Sequence, residues 1–122
     1  MTYLDLSGNQ FLSIDLSNNE KLNVLDLGRN ALFTVSLDKQ ARLKELYLWD
    51  NQITAIDLSS NGELVSLDLW GNRLHSIDLS NNSNIRSLYL NGNRLDCDNL
   101  DLVQTQFPHI VFSEVSCIEE VR

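Results

Sequence analysis

The sequence predicts a solenoid of stacked repeats whose concave side is a parallel β-sheet. Pairs of leucines with one residue between them recur every 21 residues, an asparagine follows each pair at a fixed offset, and an apolar residue stands two positions further on. The pairs are Leu4-Asp5-Leu6, Leu25-Asp26-Leu27, Leu46-Tyr47-Leu48, Leu67-Asp68-Leu69 and Leu88-Tyr89-Leu90. Because a repeat of this length cannot bury its apolar side alone, neighbouring copies must stack and share one core.

Each leucine pair lies in a segment with the two-residue period of a β-strand, which sends both leucines inward and the residues around them outward. The constant interval predicts five parallel strands, at residues 3–7, 24–28, 45–49, 66–70 and 87–91. Amides that follow the strands can donate and accept hydrogen bonds with backbone groups that stacking buries. We therefore expect a structural role for Asn9, Asn30, Asn51, Asn72 and Asn93.

The second half of each repeat is also extended in pattern. Apolar residues again stand two positions apart, and serine, asparagine and aspartate crowd the positions that follow. This pattern predicts short strands or turns on the convex side, with few helices. The segments are Ile14-Asp15-Leu16, Val35-Ser36-Leu37, Ile56-Asp57-Leu58 and Ile77-Asp78-Leu79.

The third copy resembles the leucine-rich repeat signature, reading Leu43-Lys44-Glu45-Leu46-Tyr47-Leu48-Trp49-Asp50-Asn51-Gln52-Ile53. The resemblance implies a right-handed solenoid with five repeats in residues 1–95, the first truncated and without an N-terminal cap, and a C-terminal cap in residues 96–122. The short repeats are most similar in texture to those of secreted insect immune-type proteins and some bacterial surface proteins. That similarity implies an extracellular recognition or scaffold role, with innate immunity as one setting.

The cap is expected to hold a disulfide. Leu95-Asp96-Cys97-Asp98 resembles the start of the cysteine-bearing caps of extracellular leucine-rich repeat proteins, which implies a bond between Cys97 and Cys117; the alternative is two free thiols in a cytosolic protein. Asp98 is the expected N-cap of a short helix over residues 99–104, which ends near Phe107-Pro108 and precedes an extended segment at 110–112.

Charge and hydropathy exclude several classes of partner. Nine basic and 17 acidic residues give a net charge of −8, which repels nucleic acid and anionic membrane surfaces. No stretch approaches the roughly 20 apolar residues that span a bilayer. Met1 leads directly into a repeat, so we expect a longer secreted parent protein, with self-association or fraying where the first copy is uncovered. The apolar residues of that copy are Leu4, Leu6, Phe11, Ile14 and Leu16.

The sequence offers no catalytic set, and we expect neither an enzyme nor a bound metal or cofactor. No spacing aligns His75 or His109 with a nucleophile, and both are expected at the surface. Asp5, Asp26 and Asp68 share a concave column, and Asp15, Asp57 and Asp78 share a convex one. Tyr47 and Ser36 interrupt these columns, and one acid per turn supplies too few oxygens for calcium.

The concave face carries an aromatic cluster that the array itself does not require. Both tryptophans and two of the three tyrosines fall at outward positions of the last three strands, with Trp49 and Trp70 in one column, close enough to touch. Earlier copies have Ser7 and Gly28 in that column. Exposed aromatic clusters often mark contact sites. The candidate ligand-binding residues are Glu45, Tyr47, Trp49, Asp68, Trp70, Tyr89 and Asn91.

Four interpretations of this cluster remain open at the level of sequence. The first is a protein-binding module, and the second is a glycan-binding module in which sugars stack on the rings. The third is a structural or oligomerising role, in which other copies bury the aromatic face. In the fourth, the rings lie flat on their neighbours and shield the strand backbone.

Overall fold

The computed structural model describes residues 1–112 and 115–119, so residues 113–114 and 120–122 of the predicted cap lie outside the described residues. Five three-residue strands form one parallel sheet in sequential order, and a helix follows them. The elements are β1 (Tyr3–Asp5), β2 (Val24–Asp26), β3 (Glu45–Tyr47), β4 (Ser66–Asp68), β5 (Ser87–Tyr89) and α1 (Cys97–Gln106). Leu4, Leu25, Leu46, Leu67 and Leu88 stand in register across the sheet. The predicted solenoid with a parallel concave sheet is therefore confirmed.

All five strands begin where the repeat predicts, but each ends two residues earlier. In every copy the third residue beyond the strand has a positive φ, between 54° and 77°, so the chain is already turning away. Backbone pairing nevertheless continues between copies, since the Gly8 N–H donates to the Gly28 carbonyl oxygen at 2.9 Å. The last two predicted positions are thus paired between turns without regular strand geometry.

The core is a stack of leucine columns that runs along the whole array. The inward leucine of each of β2, β3 and β4, and the leucine two residues after it, are at most 1% exposed. The last residue of each convex segment joins the same cluster, and so does the apolar residue after the asparagine in copies two to five, represented by Leu37 and Leu32. Phe11, at the equivalent position of the first copy, is 36% exposed. Leu16 was expected to be exposed to solvent in the first copy, but it is only 3% exposed and belongs to this core. It is buried because it packs with the convex leucines of later copies. Leu4, Leu6 and Ile14 are partly buried.

The repeating asparagines form the expected ladder along the sheet edge. Asn51 Nδ2 donates to the carbonyl oxygens of Leu27 at 3.0 Å and Leu48 at 3.1 Å, and its Oδ1 accepts from the Leu32 N–H at 3.1 Å. Asn72 repeats this pattern one turn later. Each side chain therefore satisfies backbone groups of two neighbouring turns, which confirms the structural role.

A second amide ladder lies on the convex side, and the sequence analysis missed it. Gln40, Asn61 and Asn82 are at most 1% exposed, and each donates to backbone carbonyl oxygens of the preceding copy. Asn61 Nδ2, for example, lies 3.1 Å from the Leu37 oxygen and 2.9 Å from the Gln40 oxygen. The signal was visible as amides at the same 21-residue interval. The convex segments form no regular strands, and a turn follows each of them directly, so of the two predicted alternatives the turns are present and the strands are not.

The helix of the cap covers the end of the core and caps the last convex segment. Leu100, Val103 and Phe107 join the core cluster. The expected N-cap was wrong, because α1 begins at Cys97, so Asp96 is the N-cap and Asp98 lies in the first turn; the Asp96 side chain makes no capping hydrogen bond. The chain turns again at Ile110, and residues 110–112 form no strand.

Amide side chains of the helix take over the hydrogen bonds that another repeat would supply. Asn99 both donates to the Ile77 carbonyl oxygen and accepts from the Ile77 N–H, each at 3.0 Å. Gln106 Nε2 donates to the Leu79 oxygen at 2.7 Å. The predicted disulfide is confirmed between Cys97 and Cys117, with an S–S distance of 2.09 Å.

Candidate functional site

The concave face brings six of the seven candidate residues together on consecutive turns of one sheet. Glu45 and Tyr47 lie on β3, Asp68 on β4 and Tyr89 on β5, and Tyr47, Asp68 and Tyr89 are directly in register. Trp49 and Trp70 stand two residues beyond β3 and β4. The Asp50 N–H donates to the Trp70 carbonyl oxygen at 2.7 Å, which keeps the tryptophan backbones on adjacent turns.

Asn91 occupies the end of this tryptophan column. Its carbonyl oxygen accepts from the Gly71 N–H at 2.8 Å, so the backbone of the column continues from Trp70 to the fifth copy. The side chain is partly buried. Asn91 therefore borders the aromatic cluster and marks its edge toward the cap.

Tyr47 is held at the centre of the face by Glu45 and surrounded by carboxylates. Its hydroxyl donates to Glu45 Oε1 at 2.7 Å, and its register neighbours are Asp26 on β2 and Asp68 on β4. The hydrogen bond to Glu45, burial, and the charges of Glu45, Asp26 and Asp68 together raise the pKa of Tyr47 to about 12. The phenol thus stays neutral at physiological pH and remains a hydrogen-bond donor.

Asp68 is a partly buried carboxylate on β4. Burial raises its pKa, the hydrogen bond from the Trp70 N–H lowers it, and the charge of Asp26 raises it further. Asp68 Oδ1 accepts that bond at 3.0 Å. The carboxylate therefore has a backbone partner within its own copy, and its net shift records partial desolvation beside another negative charge.

The two tryptophans have different surroundings although they share a column. The indole of Trp49 covers Gly28 so closely that a Cβ at that position would overlap ring atoms Nε1 and Cε2. Gly28 is buried as a result, and Trp49 is partly buried. The ring of Trp70 leans the other way, with Nε1 4.0 Å from the place of a Cβ on Gly92. Trp49 therefore shields backbone, in line with the fourth interpretation, whereas Trp70 does so much less.

The exposed part of the cluster is centred on β4 and β5. Trp70 is 49% exposed and Tyr89 is 54% exposed. Both project from short strands that the leucine core and the asparagine ladder hold in place. The site thus consists of two exposed rings, two partly buried rings and the carboxylates between them.

The convex acids form local turns instead of an ion site. Asp15, Asp57 and Asp78 each accept a hydrogen bond from the backbone N–H of the serine two residues on, at 2.9 Å. The serine hydroxyl and this N–H lower the pKa of all three carboxyls. In the second copy the two residue types are exchanged, and the Ser36 hydroxyl donates to Asp38 Oδ1 at 3.0 Å. These side chains are solvated and locally satisfied.

Other features of the described residues add no further chemistry. Residues 1–112 and 115–119 contain no group of three or more histidine, cysteine, aspartate or glutamate side chains placed to hold a metal ion. Within the same part of the chain, no helix has the length and apolar character required to cross a bilayer. His75 and His109 are exposed, as expected.

Comparisons with known proteins agree with this architecture. A model of the Leucine Rich Repeat family matches residues 1–20. Among solved structures, the chain is similar to the functional domain of InlJ from Listeria monocytogenes, which includes a cysteine ladder, at 22% identity and a TM-score of 0.68. It is also similar to the Leptospira interrogans LRR protein LIC12759, at 18% identity and a TM-score of 0.78. A comparison with curated proteins finds no match.

A chain of the Drosophila melanogaster SNF/U2A′ complex is similar at 24% identity and a TM-score of 0.70, with 97% of this chain and 75% of that one covered. The alignments cover 97% and 96% of this chain against the Listeria and Leptospira proteins, but only 30% and 31% of those chains. The repeats, the family match and the shared fold together support a leucine-rich repeat protein. This is the class of fold that generally serves as a scaffold for protein interactions.

The raised pKa of Tyr47 predicts a late step in the alkaline titration. One tyrosine should ionise with a midpoint near pH 12, as measured by phenolate absorbance, and this step should be missing in Tyr47→Phe. Because the folded pKa lies above the usual value of 10.0, the stabilisation is complete below pH 10 and is lost as the pH rises toward 12. Wild type should therefore lose more stability than Tyr47→Phe over this window. A midpoint near pH 10 for the ionisation step that is missing in Tyr47→Phe would contradict the assigned environment.

Proposed function

We propose that this chain is a non-enzymatic protein-binding module that recognises its partner through the concave face around β3, β4 and β5. Trp70 is the observation that carries the proposal, because an indole left 49% exposed on a rigid sheet does not contribute that area to the core. Exposed aromatic side chains supply contact area at low entropic cost and dominate many interfaces. The proposed contact residues are Glu45, Tyr47, Trp49, Asp68, Trp70, Tyr89 and Asn91.

An extracellular setting is part of the proposal. The Cys97–Cys117 disulfide supports it, since such bonds persist in oxidising compartments. The resemblance to secreted immune-type repeats adds recognition in innate immunity as a candidate context. The Drosophila relative was solved as part of a complex, which supports a protein partner for a fold of this kind. Residues 1–95 would act as the recognition array and residues 96–122 as its cap.

The test compares Trp70→Ala with a matched exposed aromatic outside the concave sheet. Phe33 is 50% exposed and stands outside the strands, so Phe33→Ala removes a similar ring from another surface. Proteins retained from host fluid by the immobilised chain are identified by mass spectrometry, purified and titrated by calorimetry against wild type and both variants. We expect Trp70→Ala to weaken binding about thirtyfold, because central interface aromatics commonly contribute about 2 kcal/mol.

The fold should be nearly unchanged in both variants, because their rings lie outside the leucine core. Unchanged affinity of every purified partner for Trp70→Ala would show that the concave cluster is not the binding site. Binding of immobilised sugars with no protein partner would replace the proposal with the glycan alternative. A larger molar mass for wild type than for Trp70→Ala would indicate that the face pairs copies of this chain.

A further inference from the structure

The concave face is acidic without basic residues among its outward positions. The described strands and the residues two beyond them provide fifteen outward positions, three from each copy, of which one is Gly28. Four of these are carboxylates, and none is lysine or arginine. The carboxylates are Asp5, Asp26, Glu45 and Asp68. The charged side chains that a partner meets at these fifteen positions are therefore all negative.

Carboxylates and rings alternate along the middle column of the face. Strand pairing sets Asp26 beside Tyr47, Tyr47 beside Asp68, and Asp68 beside Tyr89. Neighbouring strands lie about 4.8 Å apart, so each ring has a carboxylate within about one strand spacing. A cation on a ring face at this distance is attracted by the quadrupole of the ring and by the adjacent charge.

The electrostatic environment agrees with this placement. The hydrogen bond to Glu45, burial and the negative charges of Glu45, Asp26 and Asp68 raise the pKa of Tyr47. Burial raises the pKa of Asp68, and the charge of Asp26 adds to this shift. Both groups are partly buried, where the effective dielectric constant is lower than in water and charge interactions are stronger. A cation bound on this face would therefore be stabilised more strongly than a cation bound to exposed surface carboxylates.

The size of the face fits a short extended segment. Four intervals of about 4.8 Å give a width of roughly 19 Å from β1 to β5. An extended chain rises about 3.3 Å per residue and crosses this width in roughly six residues. A segment of that length can place several side chains on the column of rings and carboxylates.

We propose that the concave face binds a basic, extended segment of a protein partner, whose arginine side chains stack on Tyr47, Trp70 and Tyr89 beside Asp26 and Asp68. Arginine fits better than lysine because its planar guanidinium stacks on aromatic rings and donates to carboxylates at the same time. The inference rests on the proposed function, since it names the chemistry of the partner for the same site.

Defined peptides test this proposal directly. The probe is a seven-residue peptide of alternating arginine and glycine with blocked termini, and its control replaces arginine by citrulline, which keeps the shape and removes the charge. Binding is measured by calorimetry at low salt and again at about 0.5 M salt. We expect saturable binding of the arginine peptide, at least tenfold weaker binding of the citrulline peptide, and a marked loss of affinity at high salt.

A pair of matched double variants locates the charge. Asp26→Asn/Asp68→Asn removes two concave charges, and asparagine Oδ1 still accepts the N–H of Gly28 and of Trp70 that the aspartates accept at 2.9 and 3.0 Å. Asp57→Asn/Asp78→Asn removes two convex charges, so both double variants have the same net charge. We expect about tenfold weaker peptide binding for the concave variant and less than a twofold change for the convex one.

The proposal is overturned by equal binding of the two peptides, by no saturable binding of the arginine peptide, or by equal effects of the two double variants. A purified protein partner separates this failure from failure of the proposed function. A partner that requires Trp70 but tolerates Asp26→Asn/Asp68→Asn keeps the concave binding site and overturns the basic segment. A partner indifferent to Trp70 overturns the site itself.

Discussion

Replacing Leu48 by alanine is expected to destabilise the fold by about 2–5 kcal/mol, because it opens a cavity in a core that cannot close around it. Leu48 is completely buried at the centre of the array, with Leu27 and Leu69 at the same position of the neighbouring copies. A solenoid is stabilised by contacts between adjacent turns, so a loss in the third copy weakens its interfaces on both sides. Urea unfolding of both proteins gives the free-energy difference.

Leu102→Ala is the control for Leu48→Ala because it removes the same atoms from a leucine that is 69% exposed. Alanine and leucine have similar helix propensities, so the change within α1 should alter the unfolding free energy by less than about 0.5 kcal/mol. Similar losses for Leu48→Ala and Leu102→Ala would mean that the leucine columns do not form the core of the solenoid. Peptide or partner binding by Leu48→Ala should fall only in proportion to the unfolded fraction.

The fold was predictable because the repeat interval fixes both the pairing partner and the register of each strand. Once Leu25 and Leu46 occupy the same place in the repeat, stacking puts them side by side, and the structure pairs them in this way. Strand ends were less predictable, since they depend on where the backbone enters a left-handed turn. Arg29 and Asp50 adopt this conformation at φ 54° without being glycine, and the sequence pattern gave no indication of it.

The position of the aromatic cluster was predictable, but the roles of its two tryptophans were not. Alternation places Trp49 and Trp70 on the same side of the sheet and in the same column. The direction of each ring depends on which neighbour leaves space for it, and only Gly28 leaves its backbone open to the Trp49 indole. The sequence identifies Gly28 as a small residue of this column, but only the packing shows that the Trp49 ring lies directly on its backbone.

The convex amide ladder escaped prediction because its members differ in type and stand beside exposed polar residues. Gln40 replaces asparagine in the second copy, and Asn81 next to Asn82 is exposed although Asn82 is fully buried. Composition alone assigns such a segment to a solvated turn. The interval of 21 residues from Gln40 to Asn61 and from Asn61 to Asn82 was the usable signal, since a periodic position in a solenoid shares one environment.

Replacing Asn72 by alanine is expected to cost about 3–5 kcal/mol, which is as large as the loss of a core leucine. Asn72 is 5% exposed, donates to the carbonyl oxygens of Leu48 at 2.9 Å and Leu69 at 3.1 Å, and accepts from the Ile53 N–H at 3.1 Å. Alanine leaves the buried Ile53 N–H unsatisfied, which costs about 1–3 kcal/mol. It also removes one of two amide donors from each carbonyl oxygen, since Asn51 donates to the Leu48 oxygen and Asn93 to the Leu69 oxygen, and each lost bond costs about 0.5–1.5 kcal/mol. Chemical denaturation measures the total.

Asn9→Ala is the control for Asn72→Ala, because it removes an asparagine of the same motif at a position where the ladder is exposed. The comparison shows whether the stability loss depends on burial of the hydrogen bonds. Asn9 donates to the Leu6 carbonyl oxygen at 2.8 Å on the exposed side of the first copy, where water can replace the amide, so its loss should cost less than about 1 kcal/mol.

Asn72→Leu adds a test of volume, because it fills the space without restoring any hydrogen bond and should remain nearly as unstable as Asn72→Ala. If Asn72→Leu recovers the stability of wild type, the space that Asn72 fills, and not its hydrogen bonds, sets the cost. Equal costs for Asn9→Ala and Asn72→Ala would show that burial of the ladder does not contribute to the stability of the solenoid.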